Sequence, residues 1–292
     1  MKISKQEMYK IVTKKFLNPT VVQMEIESPF VARKAKPGQF IILRVDEDGE
    51  RIPLTVAGVN KELGTTKIIF QVVGATTEKL KHKEQGEYIS DFVGPLGLPT
   101  HTEGIKKVCI IGGGVGCAIA MPIAEEFHHL GAEVTSIIGF RNKDLVILED
   151  EFNKASNKLI VMTDDGSYSR KGNVTIPLKE MLEEDPYRFD LIITIGPLIM
   201  MKYVVLTAKP YNVPVTVSMN PIMIDGTGMC GGCRLSLVQD GKRVMKFACV
   251  DGPDFNGYEV DFDEAISRSR QYQEFERHAH EETCNLYKKE VK

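Results

Sequence analysis

The chain has 292 residues, 42% of them hydrophobic, and its 37 basic and 40 acidic side chains give a formal net charge of −3. Because domains commonly have about 100–200 residues, this length predicts two domains and a smaller appendage. The balanced charge excludes the basic surface that nucleic acid or an acidic membrane would bind, so we expect small-molecule and protein partners. Residues 1–10 lack the apolar core of a secretory signal, which predicts a cytoplasmic protein.

The first part of the chain, from about residue 8 to residue 93, consists of short runs rich in β-branched residues. These runs are Y-K-I-V-T-K-K-F, V-V-Q-M-E-I-E, Q-F-I-I-L-R-V, T-K-I-I-F-Q-V-V and G-E-Y-I-S-D-F-V. Many short strands with polar turns are typical of a small closed barrel. The segment G-P-L-G-L-P at 94–99 interrupts the pattern and is predicted to be a linker.

The middle of the chain alternates between strand and helix patterns. We expect strands at 107–111, 133–138, 158–163, 190–195 and 214–218, and helices at 117–130, 147–155, 177–184 and 198–208. Such alternation predicts a parallel sheet covered by helices on both faces. Residues 222–260 are predicted to be loops with a hairpin around Gln239–Lys242, and a charged helix without glycine or proline is predicted from Phe262 to the end.

A glycine loop follows the first strand of this predicted sheet, where K-V-C-I-I runs into G-G-G-V-G-C-A. Backbone N–H groups at such a loop and helix start can bind a phosphate. Gly112 and Gly114 match the usual dinucleotide fingerprint, but Cys117 replaces its third glycine and Gly139-Phe140-Arg141 replaces its acid. The alternative is a tight turn that binds no ligand.

A second polar turn, Asp164-Asp165-Gly166-Ser167, follows the strand predicted at 158–163. An acid here can accept hydrogen bonds from ribose hydroxyls and repel a 2′-phosphate, which favours NAD(H) over NADP(H). Arg170 and Lys171 lie close in sequence and oppose this preference. The alternative is a turn that contacts no nucleotide.

The segment D-G-T-G-M-C-G-G-C at 225–233 is the candidate metal site. Asp225, Cys230 and Cys233 follow the pattern D-x4-C-x2-C, and Cys249 follows after fifteen residues. With cysteine at the first position this would be the spacing of plant-type 2Fe-2S ferredoxins. Structural zinc and the absence of any metal remain alternatives.

The other cysteines, Cys109, Cys117 and Cys284, are interpreted as small hydrophobic or spectator residues. His278-x-His280 is interpreted as an exposed helix face, because residues two apart on a helix do not converge.

A barrel followed by an α/β domain with this glycine loop resembles the ferredoxin–NADP reductase superfamily. The resemblance also rests on Arg51–Thr55, Gly74–Thr77 and the G-P-x-x-M segment at 196–200. The family's arginine stands where Ile52 stands here, so Arg51 is either a phosphate or flavin contact or a solvated charge at the end of the strand. The resemblance implies cofactor contacts from Arg51, Pro53, Leu54, Thr55, Phe70, Gln71, Val72, Gly74, Thr76, Thr77, Gly112, Gly113, Gly114, Val115, Gly116, Arg141, Asp164, Asp165, Gly196, Pro197 and Met200.

The cysteine segment narrows the resemblance to electron-transfer subunits. It is similar to the dihydroorotate dehydrogenase electron-transfer subunit, where four cysteines bind 2Fe-2S, but Asp225 replaces the first cysteine. The chain also contains G-F-R-N-K-D-L-V-I-L-E-D-E-F and T-D-D-G-S-Y-S-R-K-G. Together with the aspartate, these segments resemble the small subunits of NADH-dependent reduced ferredoxin:NADP⁺ oxidoreductases, formerly grouped with sulfide dehydrogenase β-subunits.

This resemblance implies FAD, NAD(H) and a 2Fe-2S cluster as cofactors, with Asp225, Cys230, Cys233 and Cys249 as cluster ligands. Hydride would pass between nicotinamide and flavin without a dedicated general acid or base. It also implies a heterodimer with a larger flavin- and iron–sulfur-containing subunit, where ferredoxin reacts and electrons bifurcate. The expected divisions are 1–98 for FAD, 99–221 for NAD, 222–260 for the cluster and 261–292 as a helical segment.

Two other functions remain open at this point. One is electron transfer for dihydroorotate oxidation, against which Asp225 counts. The other is a nucleotide-sensing regulatory module with structural zinc.

Overall fold

The computed structural model describes residues 8–290, with the backbone alone for 286–290. The expectations for residues 1–7 and 291–292, namely the missing secretory signal and the outer ends of the first and last predicted divisions, lie outside the described residues.

The first unit is an antiparallel barrel. Its elements are β1 (Tyr9–Asn18), β2 (Val21–Glu27), α1 (Pro29–Lys34), β3 (Phe40–Arg44), β4 (Arg51–Asn60), β5 (Thr65–Gln71), α2 (Ala75–His82), β6 (Tyr88–Ile89) and β7 (Asp91–Leu96). The strand order is β6-β1-β2-β5-β4-β3-β7. Because only Ser90 separates β6 from β7, the two outer strands are adjacent in sequence and the sheet nearly closes. The predicted barrel is confirmed.

The barrel closes around alternating apolar side chains. In β2, Val22, Met24 and Ile26 are fully buried, whereas Gln23 and Glu25 between them are partly exposed. This period of two is what a strand requires to fill a core from one face. Each such buried side chain stabilises the fold by about 1.5–3 kcal/mol relative to exposure.

The predicted linker at 94–99 is partly wrong, because Gly94, Pro95 and Leu96 belong to β7. Among the described strands β7 pairs only with β3, with Phe40 opposite Leu96. Proline lacks the N–H that a central strand must donate, but it is tolerated where one side of the strand is unpaired. The connection to the next unit therefore begins after Leu96.

The second unit is a mostly parallel sheet with helices. Its elements are β8 (Lys107–Gly113), α3 (Gly116–His129), β9 (Glu133–Phe140), α4 (Glu149–Lys154), β10 (Lys158–Thr163), β11 (Arg170–Lys171), α5 (Thr175–Glu184), β12 (Leu191–Ile195), α6 (Leu198–Ala208) and β13 (Val215–Ser218), with 3₁₀ turns at Lys143–Leu145 and Lys209–Tyr211. The order is β11-β10-β9-β8-β12-β13-β16, in which β16 (Asp254–Asn256) is antiparallel to β13. The predicted parallel α/β sheet is confirmed.

Helix α3 packs on this sheet through Phe127, which is fully buried. We expect Phe127→Ala to lower the free energy of unfolding by about 3–5 kcal/mol, because it leaves a cavity beneath the helix. Leu130→Ala, at an exposed position just after α3, should change it by less than about 0.5 kcal/mol. Urea denaturation of the two variants measures the difference, and equal losses would contradict this account of the core.

The third unit contains the hairpin β14 (Arg234–Gln239) and β15 (Lys242–Phe247). The two turn residues, Asp240 and Gly241, have φ values of 51° and 73°. Positive φ at both central positions is typical of the type I′ turn that Asp-Gly favours, so the predicted hairpin is confirmed.

The C-terminal segment forms two helices, α7 (Phe262–Ser269) and α8 (Gln273–Glu290). The prediction of one uninterrupted helix from Phe262 is therefore wrong. The Ser269 hydroxyl donates to the Ile266 carbonyl at 2.9 Å, a local bond of the kind that competes with continued helix.

One hydrophobic core joins the three units. It includes Phe40 and Ile42 from the barrel, Ile192 from the parallel sheet, and Leu235 and Cys249 from the hairpin region. Because interiors of this kind are closely packed, the cysteine segment has a fixed position relative to the barrel and the sheet.

Candidate functional site: a cofactor cleft and a cysteine loop

A cleft of about 1790 Å³ lies between the barrel and the carboxyl ends of the parallel strands. Pockets for one small ligand are typically about 300–1,000 Å³, so this cleft has room for more than one cofactor. It lies where the strand order reverses, since β9 and β12 flank β8 on opposite sides. Open α/β sheets bind ligands at this position.

Most of the residues expected to contact cofactors line this cleft. They are Arg51, Pro53, Leu54, Thr55, Phe70, Gln71, Gly74, Thr76, Thr77, Gly113, Gly114, Val115, Gly116, Arg141, Asp164, Gly196, Pro197 and Met200. Val72, Gly112 and Asp165 are not on its wall.

The barrel wall of the cleft is formed by β4 and its neighbours. Thr55 lies opposite Phe40 of β3 in the strand register, and both line the cleft. Arg51 also lines it, with Nη2 4.0 Å from Asp91 Oδ2 and half of its side chain exposed. Arg44 Nε donates to the same oxygen at 2.6 Å. Because Asp91 is bound mainly by Arg44, the Arg51 guanidinium can reach an anionic ligand in the cleft.

The start of α2 offers a second set of donors. The Thr77 hydroxyl oxygen accepts hydrogen bonds from the backbone N–H groups of Val73 and Gly74, each at 3.0 Å. This cap orders the turn and leaves the N–H groups of the helix start at the cleft. Such a helix start can bind a phosphate group.

The glycine loop after β8 also lines the cleft. Gly114 has φ +55°, a conformation that other residues adopt with strain, and among the described residues no atom lies within 4 Å of a Cβ built there. A Cβ at Gly113 would overlap Met200, and one at Gly116 would overlap the Ile195 carbonyl. These glycines therefore bring the loop against the G-P-x-x-M segment that follows β12.

Gly112 has a packing role instead. It is buried in β8, and a Cβ there would lie 2.8 Å from the Sγ atom of Cys117. Burial raises the pKa of the Cys117 thiol in α3, and it also raises the pKa of the Cys109 thiol in β8. Both thiols are therefore protonated core side chains, as the sequence interpretation held.

The two acidic residues of the turn after β10, Asp164 and Asp165, have different contacts. Asp165 Oδ1 accepts from the backbone N–H and the hydroxyl of Ser167, at 2.9 and 2.7 Å, and these bonds lower the pKa of Asp165. Asp164 is exposed on the cleft wall. Asp165 thus stabilises the turn, while Asp164 is the acid that can meet a nucleotide. Arg170 forms an exposed ion pair with Glu180.

The cysteine segment brings two of the four predicted donor atoms into contact. The Sγ atoms of Cys233 and Cys249 are 3.1 Å apart as free thiols. Burial, followed by the neighbouring Cys233 thiol, raises the pKa of Cys249 to about 12. A metal that binds here would have to displace the proton of Cys249. Cys230 is exposed at the surface of the loop.

The Asp225 carboxylate accepts hydrogen bonds from the backbone of the same loop. Its Oδ1 and Oδ2 accept hydrogen bonds from the backbone N–H groups of Thr227 and Cys230, each at 2.8 Å. The hydrogen bond from Thr227 is the main reason that the pKa of Asp225 lies below its usual value. The loop therefore offers three thiols and an ionised carboxylate, a donor set that fits an iron–sulfur cluster.

The cysteine loop contacts the barrel and also borders the cleft. A Cβ at Gly226 would lie 2.6 Å from Leu96 Cδ1 and 3.1 Å from Ile42 Cγ1, so the loop backbone touches β3 and β7. Gly232, between Cys230 and Cys233 in the sequence, lines the cleft itself. The cysteine loop and the proposed flavin side of the cleft are thus neighbours.

The sequence interpretation missed the contribution of the C-terminal helices to the cleft. Tyr272, Phe275, Glu276 and Ala279 line it, and the Arg268 guanidinium donates to the Gly232 carbonyl at 3.4 Å. The available signal was the pair of aromatic residues, Tyr272 and Phe275, within an otherwise charged segment. Within residues 8–290, no helix is long and apolar enough to cross a membrane.

A nearly closed barrel and a parallel sheet that share one cleft define the ferredoxin reductase-like fold. A ferredoxin reductase of carbazole 1,9a-dioxygenase shares this fold at 17% identity, with a TM-score of 0.60 over 72% of this chain and 68% of the other.

More similar proteins identify the family. The model for the iron–sulfur cluster binding domain of dihydroorotate dehydrogenase B matches residues 220–261. A homolog of the dihydroorotate dehydrogenase B (NAD⁺) electron transfer subunit from Thermotoga maritima is 46% identical over 93% of this chain and 94% of that protein. A chain in the structure of an NADH-dependent reduced ferredoxin–NADP oxidoreductase is 44% identical, with a TM-score of 0.87 over 96% of this chain and 99% of the other.

The chain belongs to the family of dihydroorotate dehydrogenase B electron-transfer subunits and their homologues. It is an oxidoreductase subunit with an iron–sulfur binding domain. The fold and this domain support FAD, NAD(H) and an iron–sulfur cluster as its cofactors.

Proposed function

We propose that this chain is the small electron-transfer subunit of an NADH-dependent reduced ferredoxin:NADP⁺ oxidoreductase that bifurcates electrons. The observation that carries the proposal is the structural match to such an oxidoreductase, which extends over nearly the whole of both chains. The proposed partner is a larger subunit with its own flavin and iron–sulfur clusters, at which ferredoxin and NADP⁺ react.

The cleft residues divide into two groups in this proposal. FAD is contacted from the barrel by β4, with Thr55 beside the ring, and its pyrophosphate by the start of α2. NAD(H) is contacted by the glycine loop at 113–116, with Asp164 near the ribose hydroxyls. When bound, these cofactors supply hydride transfer and its conversion to single-electron steps.

The protein's own contribution is to orient the two nucleotides and to exclude water. Pro197 and Met200 pack against Gly113, which places the segment after β12 beside the proposed nicotinamide position. No proton donor is assigned, because hydride transfer between the two rings requires positioning alone. Asp225, Cys230, Cys233 and Cys249 are the proposed ligands of a 2Fe-2S cluster next to the cleft.

A second candidate function is electron transfer for dihydroorotate oxidation. The match of residues 220–261 to the dihydroorotate dehydrogenase B domain and the name of the Thermotoga maritima relative favour it. Asp225 counts against it, because the resemblance to those subunits implies a fourth cysteine at this position.

The complex purified from its native source decides between these functions. We expect it to reduce NADP⁺ only when NADH and reduced ferredoxin are both present, and each donor alone serves as a control. NAD⁺ reduction that depends on dihydroorotate, without any ferredoxin requirement, would establish the second function. A colourless protein with zinc on the cysteine loop would contradict both.

A further inference from the structure

The helices α2 and α8 are far apart in sequence but pack against each other. Side chains with metal-binding atoms meet where the two helices touch. We propose that a zinc ion binds there, with three protein ligands: Glu78, His280 and Cys284. This site is separate from the cysteine loop at 225–249 and from the cofactor contacts.

The helical spacing brings these residues together. His280 and Cys284 are four positions apart on α8, so both can face α2. The ligand atoms of Glu78, His280 and Cys284 all lie within 4.8 Å of one another. His278, two positions before His280, is largely exposed and points elsewhere. The sequence interpretation took His278-x-His280 as an exposed helix face and Cys284 as a spectator, so the proposal gives His280 and Cys284 a role that it did not foresee.

The distance between His280 and Glu78 fits a shared metal better than a direct hydrogen bond. His280 Nε2 lies 3.7 Å from Glu78 Oε2. That distance is too long for a hydrogen bond, but ligand atoms around tetrahedral zinc lie about 3.3–3.8 Å apart. Among the described residues, the buried Nε2 atom of His280 has no hydrogen-bond partner. An unpaired buried nitrogen beside a carboxylate and a thiol is therefore explained by a shared cation.

The carboxylate is held in position for this role. Glu78 is only 6% exposed, and its Oε1 accepts from Lys81 at 2.9 Å and lies 3.2 Å from His82 Nε2. Its other oxygen, Oε2, is the one that faces His280. Hydrogen bonds to the outer oxygen of a ligating carboxylate orient it and strengthen metal binding.

The mixture of oxygen, nitrogen and sulfur donors selects the metal. Magnesium and calcium prefer oxygen ligands alone, whereas zinc accepts carboxylate, imidazole and thiolate together. Three protein ligands leave one tetrahedral position for water. Zinc is therefore the ion that this donor set fits.

The ion would join two parts of the cleft wall. Thr76 and Thr77 at the start of α2 line the cleft, and so do Phe275, Glu276 and Ala279 of α8. Glu78 directly follows Thr77 on α2, and His280 and Cys284 lie one and five residues after Ala279 on α8. The zinc ion would thus connect α8 to α2 and stabilise the contact between the two helices.

The test measures zinc and iron in the holoprotein by elemental analysis. We expect about one zinc per chain in addition to the iron of the cluster. The double variant His280→Ala/Cys284→Ser should lose more than about nine-tenths of this zinc and keep its iron, because one ligand cannot hold the ion. His82→Ala should weaken zinc binding by about 10–100-fold, as loss of an orienting hydrogen bond does.

The matched control is His278→Ala/Glu282→Gln, an exposed pair on the same helix with 3.3 Å between the two side chains. It should keep both zinc and iron. Circular dichroism and flavin content show whether each variant is folded.

X-ray absorption at the zinc edge tests the native chain without any substitution. We expect a single sulfur among nitrogen and oxygen ligands. A shell dominated by sulfur would place zinc on the cysteine loop and overturn the proposal. So would a native protein that takes up no zinc on incubation with the metal, or a double variant that retains it.

Discussion

Replacing Cys249 with alanine should remove the iron–sulfur cluster while leaving the flavin bound. Cys249 is buried with its Sγ atom 3.1 Å from that of Cys233, so its loss leaves the proposed cluster without one of its two buried ligands. We expect iron content and the cluster's electron paramagnetic resonance signal to fall below about one-tenth of the native values, because such clusters require four ligands. NADH should still reduce the flavin, since the cleft does not include Cys249.

Cys109→Ala is the matched control, because it removes another buried thiol outside the loop. It should retain both iron and flavin. Full iron content in Cys249→Ala would remove Cys249 from the ligand set.

The same measurements on Asp225→Cys separate two roles of the aspartate. As an iron ligand, Asp225 would be replaced by a softer sulfur donor, so the cluster should persist with a changed reduction potential. If Asp225 only accepts the hydrogen bonds of Thr227 and Cys230, cluster content and potential should both match those of the native protein.

Replacing Gly114 with leucine should weaken NADH binding by about 100-fold, which corresponds to about 2.7 kcal/mol. The side chain would extend into the cleft where the loop is expected to approach the pyrophosphate. Isothermal titration of the flavin-loaded protein with NADH measures the change.

Gly131→Leu isolates this effect from backbone strain. Gly131 has φ +83° against +55° for Gly114, and among the described residues neither has an atom within 4 Å of a built Cβ. Leucine is thus strained at both positions, but only Gly114 lines the cleft. NADH affinity should remain within about twofold in Gly131→Leu. Equal affinity in the two variants would refute the assignment of the glycine loop to NAD(H).

The elements that local patterns specify could be predicted from the sequence. The alternation in Val21–Glu27 predicts a barrel strand, and Asp240-Gly241 predicts the hairpin turn that the structure contains. The cysteine segment could also be found, because its spacing alone carries a chemical meaning.

The features that depend on distant contacts could not be predicted. The division of roles between Asp164 and Asp165 depends on which carboxylate Ser167 binds. Gly112 matches a phosphate-loop glycine in the sequence. In the structure, the lack of a side chain at Gly112 makes room for the Cys117 thiol. The approach of Cys284 to Glu78 joins helices that are far apart in sequence, and no local pattern records it.

The continuous core shared by the barrel, the sheet and the hairpin holds these three units in one rigid arrangement. Phe40, Ile42 and Cys249 belong to the same packed interior, so no hinge separates the proposed flavin position from the cysteine loop. In the proposed function, an electron acceptor would approach the outer side of that loop, where Cys230 and Met229 are exposed. A different partner would change the destination of the electrons and leave their route inside this chain unaltered.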